Sequence, residues 1–324
     1  MSTVFLTGGA GRIGRRVLVK LLERGCRVRV LVHNREPEGI ASGDMTLVRG
    51  DVRDRSTFEE AVAGCDFVCH LAAVFEMGTA VEDGLENDHL FDHLVRGTYN
   101  VLEAARRAGS VRLLAFASSD AVFCAIYREH EEVITEEVEI TLRPGRFYSL
   151  AKATLESMCV NYQKSYGLPC AIHRVGWTLD ESDVLLAFEP EFWETLLAPG
   201  ERERLDALRA EGPCLIAPLY EDGTSVEVQL AHADDIADGF VLALENPRAA
   251  AGEIFNIAGA APFRFLDCID KVARGLDRPW AGIRLSGLGR YRISNEKAGR
   301  LLGYAPRYTI DRMIDLALER RTGG

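Results

Sequence analysis

Thr7-Gly8-Gly9-Ala10-Gly11-Arg12-Ile13-Gly14 stands between a short apolar run, Val4-Phe5-Leu6, and a stretch in which Ile13, Val17, Leu18, Leu21 and Leu22 recur at helical spacing until Gly25. The order predicts a strand, a glycine turn and a helix. Without Cβ atoms, Gly8, Gly11 and Gly14 let the turn tighten and approach a pyrophosphate, whose charge the N–H groups at the helix N-terminus stabilise. A glycine triplet alone also describes an ordinary tight turn. Its position between strand and helix favours the phosphate-binding reading.

Outward from this turn the pattern alternates. Strands are expected at 28–32, 46–48, 67–69, 112–116 and 169–175, and helices from about Leu90 to Arg107 and from Tyr148 to about Tyr166. Such alternation predicts βαβ units. The expected fold class is α/β, a Rossmann-type doubly wound parallel sheet with a smaller C-terminal substrate-binding region. Residues 1–176 would form the nucleotide-binding domain, with a strand at 226–230 and a helix at 234–244 contributing; residues 177–225 and 245–324 would form the substrate-binding region. Pro190, Pro199, Gly200, Gly212, Pro213 and Pro218 break the pattern after Trp177, so 178–225 reads as inserted structure covering a cleft rather than as sheet, around one charged helix from Glu201 to Ala210. Two further helices are expected at Leu266 to Arg274 and Ile310 to Arg320.

The 324 residues are 47% hydrophobic and 27% charged, enough apolar material for a buried core. With 38 basic and 49 acidic side chains the net charge is −11, which repels a nucleic acid, and no basic patch offsets it. No apolar run approaches the roughly 20 residues of a membrane span, and Met1-Ser2-Thr3 leads into a strand without a basic leader. A cytoplasmic protein with a small-molecule substrate is expected, with no nucleic-acid or membrane partner and with a homodimer as an open alternative to a monomer. The eight cysteines lie mostly in apolar stretches as small hydrophobes rather than in a disulfide framework. His89 and His93 share a helix face, but Asp88 and Asp92 beside them suit a solvated surface and no third ligand is identifiable, so no metal is assigned.

Tyr148-Ser149-Leu150-Ala151-Lys152 opens the later helix with two functional groups four residues apart, on one face. An ammonium beside a phenol stabilises the phenolate and lowers its pKa from the usual value of about 10, which suits Tyr148 to acid/base work.

The glycine turn as T-G-x-x-G-x-x-G and Tyr-x-x-x-Lys together resemble the extended short-chain dehydrogenase/reductases, the NAD-dependent epimerase/dehydratase family. Gly50-Asp51-Val52, His70-Leu71-Ala72-Ala73, Gly97-Thr98-Tyr99-Asn100-Val101-Leu102-Glu103-Ala104-Ala105, His232 to Ala237 and Lys297 to Pro306 extend the similarity along the chain. The resemblance implies that Gly8, Gly11, Arg12, Ile13 and Gly14 hold the coenzyme pyrophosphate, that Asp51 and Val52 hold the adenine, and that Leu71, Ala72 and Ala73 pack beside the loop. Ala117-Ser118-Ser119-Asp120-Ala121-Val122-Phe123 looks like the family's serine segment, which implies Ser119 as the hydroxyl on the reacting oxygen and Ser118 as the second candidate. Lys152 would hold the nicotinamide ribose while Tyr148 moves the proton.

At the end of the second strand stand His33-Asn34-Arg35, without the carboxylate that binds the ribose of NAD. Arg35 and Arg12 could serve a 2′-phosphate, so NADP is favoured. The alternative leaves both arginines solvated and Asn34 on the ribose of NAD.

Departures from the family bear on substrate. Ala121 stands where 4,6-dehydratases carry a Glu, Val228 where many sugar-nucleotide epimerases carry an Arg for the diphosphate, and Arg174-Val175-Gly176-Trp177 lacks their Asn. A smaller or more apolar substrate follows, lying between the nicotinamide and 178–225 with Trp177 and Phe188 as apolar walls. The first function class is hydride transfer at a secondary alcohol or ketone, by net redox or by transient oxidation within epimerisation. The second is a dinucleotide-binding regulatory protein without chemistry, which would have no need of Ser119, Tyr148 and Lys152 together.

Overall fold

The computed structural model describes residues 1–40, 43–73, 87–130, 132–142 and 146–322. Its strands are β1 (Thr3–Thr7), β2 (Arg27–Val32), β3 (Met45–Arg49), β4 (Phe67–His70), β5 (Leu113–Ser119), β6 (Cys170–Val175), β7 (Thr178–Leu179), β8 (Leu215–Leu219), β9 (Glu227–Val228), β10 (Ala231–His232), β11 (Ile254–Ile257), β12 (Phe263–Arg264) and β13 (Trp280–Arg284). The helices are α1 (Arg12–Glu23), α2 (Glu59–Val62), α3 (Asn87–Leu90), α4 (Gly97–Ala108), α5 (Phe147–Tyr166), α6 (Glu201–Glu211), α7 (Ala233–Glu245), α8 (Pro247–Ala250), α9 (Phe265–Leu276), α10 (Glu296–Leu302) and α11 (Ile310–Thr322).

Seven strands form one parallel sheet in the order β11-β6-β5-β4-β1-β2-β3. The order reverses between β1 and β4. Such a switch point opens a crevice beyond the carboxyl ends of the strands. Both faces of the sheet are covered, which is why its strands read as continuous apolar runs. One core gathers Val17, Leu18 and Leu21 of α1 with Ile236, Phe240 and Val241 of α7; the other gathers Val101 and Leu102 of α4 with Leu155 and Cys159 of α5. A third core, around Trp193, Phe265 and Met313, belongs to the lobe beyond the strand ends.

The seventh strand, Ile254–Ile257, comes from the segment that sequence alone assigned to the substrate-binding region. It pairs with β6, and Ala298 and Leu302 of α10 pack on the same core. The stretch 226–230 does not join this sheet. Glu227–Val228 pairs antiparallel with β12, while Ala231–His232 pairs with β7. Residues 178–225 do contain two strands, contrary to the reading of that stretch as free of sheet: Thr178–Leu179 pairs in parallel with β10, and Leu215–Leu219 pairs in parallel with β13. Pro218 obscured the latter, because a proline removes a ladder donor; a two-stranded sheet leaves each strand a free edge where that loss is tolerated.

Candidate active site

The glycine turn is shaped by contact. A Cβ on Gly14 would lie 2.0 Å from the Gly8 carbonyl oxygen, and one on Gly8, where φ is +75°, would lie 2.7 Å from the Leu71 backbone. The turn therefore rests directly on the chain leaving β4. Gly11 caps α1 without a side-chain hydrogen bond, and no acidic residue stands in the first turn of the helix. Those N–H groups fit an anion, so the cradle suits a coenzyme pyrophosphate.

Buried hydroxyls tie the turn to its neighbours. The Ala72 N–H donates to Thr7 Oγ1 (3.1 Å), Thr7 Oγ1 lies 2.7 Å from His70 Nδ1, and His70 Nε2 lies 3.0 Å from Thr98 Oγ1. Burial drives the His70 pKa down to about 3, so the ring is neutral. The assignment that closes this network has Thr7 donating to Nδ1 and Nε2–H donating to Thr98. It holds Leu71 and Ala72, which are half-buried, and the exposed Ala73 beside the turn.

The expected adenine and ribose positions lie at the adjoining strand ends. The Asp51 carboxylate is held down to about pKa 2 by hydrogen bonding from Arg53, against the opposing effect of desolvation, and lies 3.4 Å from His33 Nε2. Asn100 donates to the Val52 carbonyl (2.9 Å), and Gly97 has no Cβ because one would meet Val52 at 2.9 Å. His33, Asn34 and Arg35 are exposed at the end of β2. Arg12 is not directed at that ribose end. Its guanidinium bonds Asp183 and the Thr178 carbonyl (2.9 Å), and Asp180 is 3.7 Å away, so in this structure it does not serve as the second arginine expected for a 2′-phosphate.

At the chemical end, α5 packs against β5 and brings Lys152 to the strand terminus. Its Nζ donates to the Ala117 carbonyl (2.6 Å) and lies 5.2 and 5.5 Å from the ring centres of Phe116 and Tyr148. With 3% exposure, Lys152 has a pKa lowered to about 8 by desolvation, while the nearby Glu156 favours the charged form. Tyr148 is half-buried one turn before it.

Ser119 ends β5. It donates to Asp120 Oδ1 and accepts from the Ala121 N–H, both at 3.2 Å. Ser118 points elsewhere, as successive strand residues must. Buried, it donates to Glu156 (2.5 Å), which pairs with Arg174 (2.8 Å), so Ser118 belongs to an internal polar network rather than to the cleft. Trp177 is half-buried and stacks on Phe192, with ring centres 5.5 Å apart. Phe188 is fully buried and meets Phe265 edge-on at 5.3 Å, so it fills the lobe core and is no cleft wall.

Three functional features escaped the sequence. Asp120, beside Ser119, has its carboxyl pushed up to about pKa 6 by desolvation against several hydrogen bonds, including one from the Trp177 N–H. Glu156 and Arg174 form their pair behind Lys152; the spacing of Glu156 four residues after Lys152 was the available signal. Asp180 and Asp183 engage Arg12 across a gap in sequence that no local pattern reports. The rings of His89 and His93 lie 4.1 Å apart, tilted by 45°, and no group of three metal-ligating side chains occurs among the described residues. No disulfide joins any of the eight cysteines.

Residues 4–258 match the model of the NAD dependent epimerase/dehydratase family. The chain belongs to that family. It is 29% identical over 332 residues to a UDP-glucose 4-epimerase of Rhizobium meliloti (98% of this chain, 96% of the relative). It is also 26% identical over 267 residues to a dihydroflavonol 4-reductase of Zea mays (76% and 68%). A solved short-chain dehydrogenase/reductase superfamily protein of Agrobacterium tumefaciens with bound NAD superposes with a TM-score of 0.81 at 28% identity, covering 99% of this chain and 97% of that one. This member is an enzyme of the extended short-chain dehydrogenase/reductase type, an NAD(P)-dependent oxidoreductase/epimerase.

Proposed function

We propose that the protein catalyses net hydride transfer at a secondary alcohol or ketone that carries no nucleotide diphosphate, with Tyr148 as acid/base. The observation that carries this is the joint arrangement of Tyr148, buried Lys152 and Ser119 at the terminus of β5, beyond the switch-point crevice. When bound, the nicotinamide coenzyme supplies the hydride acceptor or donor. In the oxidative direction Tyr148 takes the carbinol proton as the carbon loses hydride; in reduction it returns that proton to the oxygen. Ser119 stabilises charge on the same oxygen, and Lys152 holds the nicotinamide ribose and keeps the phenol acidic.

Val228 supports a substrate without a diphosphate. It is fully buried in the lobe core, where an epimerase's arginine would need an anion. Transient oxidation within a sugar-nucleotide epimerase is the second reading, favoured by the UDP-glucose 4-epimerase relative. Calorimetric titration of UDP, UDP-glucose and uncharged ketones into the coenzyme-loaded protein separates the two. Weak UDP binding with measurable ketone binding is expected; micromolar UDP affinity would restore the epimerase.

We also propose NADP over NAD, with Arg35 as the determinant, since Asn34 supplies no carboxylate and Arg35 stands exposed beside it. Arg35→Ala should weaken NADP by about 1.5–3 kcal/mol, one charge-assisted contact, and leave NAD nearly unchanged. An unchanged affinity ratio for the two nucleotides would return the assignment to NAD. No helix among the described residues is long and apolar enough to cross a membrane; a cytoplasmic location is proposed with it. A homodimer is the proposed assembly, supported by the exposed apolar side chains Phe91, Tyr99, Leu150 and Tyr166.

A further inference from the structure

The α1 helix carries Arg12, Arg16, Lys20 and Arg24 at four-residue spacing, and each is paired with acid from later in the chain. Arg12 meets Asp183 and Asp180, Arg16 meets Asp180 (3.0 Å) and Glu181 (3.0 Å), Lys20 meets Asp234 and Asp238, and Arg24 meets Glu245. The last two cations join α1 to α7 within the same core. The first two are different, because they reach out of the nucleotide-binding domain to 180–183, the segment that follows Trp177 and borders the cleft.

Arg12 is therefore placed between two claims. It is the first residue of α1, in the turn whose uncapped N–H groups fit a pyrophosphate. Its guanidinium is nevertheless occupied by Asp183, Asp180 and the Thr178 carbonyl. Asp183 is largely buried, and desolvation raises its pKa against the hydrogen bond from the Asp180 N–H (2.8 Å) and the charge of Arg12, so its carboxylate is held in part by that guanidinium. A bound pyrophosphate brings two further negative charges to the same cation. Two anionic partners that compete for one cation weaken each other's binding, and by linkage they do so equally in both directions.

We propose that Arg12 is a shared latch: it holds the 178–188 segment through Asp183 in the free protein and turns toward the pyrophosphate when coenzyme binds, releasing the cleft segment beside Trp177. Coenzyme binding then precedes and opens the way for substrate. The proposal rests on the coenzyme site described above but on no particular substrate.

Two measurements test it without turnover. Calorimetry with NAD and NADP should find both nucleotides bound about tenfold tighter by Asp183→Asn, the effect of freeing one charge-assisted donor. Glu181→Gln, in the same segment but paired with Arg16 and His232, should change either affinity by less than about twofold, since neither partner is the competing cation. Hydrogen exchange of unsubstituted protein should speed up in 178–188 on adding either nucleotide, and should not respond in Asp183→Asn. Exchange in the unsubstituted chain keeps the proposal testable if the variant does not fold. Weaker or unchanged nucleotide binding by Asp183→Asn, or slower exchange of 178–188 with coenzyme, would overturn it. Failure of the unsubstituted protein to bind either nucleotide would overturn the coenzyme site itself, and the latch with it.

Discussion

Tyr148→Phe is expected to lower turnover by about 10²-fold or more while leaving coenzyme affinity nearly unchanged, the scale for loss of a positioned acid/base. The phenyl ring keeps the packing at the start of α5 and removes only the ionisable oxygen. Lys152 cannot take over, because its ammonium is fixed on the Ala117 carbonyl at 2.6 Å. Asp120 is the nearest alternative base by chemistry, with its raised pKa, but it is held by Ser119 and by backbone N–H groups. Steady-state rates with a titration of coenzyme into the variant decide the matter. Near-normal turnover would remove Tyr148 from the mechanism.

Arg174→Ala is expected to cost about 3–5 kcal/mol of folding stability, the effect of leaving one member of a buried ion pair without its partner. Arg174 and Glu156 are each 4% exposed in their side chains. Arg174 donates to both Glu156 oxygens and to the Glu136 carbonyl, and its guanidinium lies over the Phe123 ring at 4.6 Å. Removing it leaves Glu156 with Ser118 as its remaining side-chain hydrogen bond. Replacing both partners with apolar side chains, as in Arg174→Met with Glu156→Leu, should recover part of the loss, because the buried pair is then removed as a unit, while buried Lys152 loses the nearby carboxylate that favours its charge. Denaturant unfolding measures both. A loss below about 1 kcal/mol in Arg174→Ala would mean that water reaches the site and that the pair contributes no more than a surface bridge.

The parts of this molecule that were legible in the sequence are those with a local period. Gly8, Gly11 and Gly14 identify their turn because a Cβ at Gly8 or Gly14 would strike backbone and one at Gly11 would crowd the Gly8 carbonyl at 3.2 Å, and Tyr148 and Lys152 identify a face because one helical turn separates them. The alternation of strands and helices gave the Rossmann core up to Val175 for the same reason. The seventh strand was missed because Ile254–Ile257 is four residues long and reaches β6 only after the chain has passed through the lobe. The strand at Leu215–Leu219 was hidden by Pro218. Ser118 and Ser119 are neighbours in sequence yet face different surroundings, a distinction that only the pleat and the buried Glu156 reveal. Phe188 and Trp177 looked alike as aromatics in an irregular segment, but one is fully enclosed against Phe265 and the other is not. Arg12 looked available for a phosphate because its partners, Asp180 and Asp183, lie more than 160 residues away.

The central claim is that Tyr148 and Lys152 serve hydride transfer to or from a nicotinamide held by the glycine turn. The most direct measurement is the near-ultraviolet absorbance of reduced nicotinamide when the protein, oxidised coenzyme and a panel of uncharged secondary alcohols are mixed, run alongside Tyr148→Phe. Stoichiometric growth of that absorbance in the unsubstituted protein, and its loss in a variant that still binds coenzyme, is the predicted result. Absorbance that grows equally in both proteins, or coenzyme that binds without reduction by any alcohol or sugar nucleotide, would contradict it.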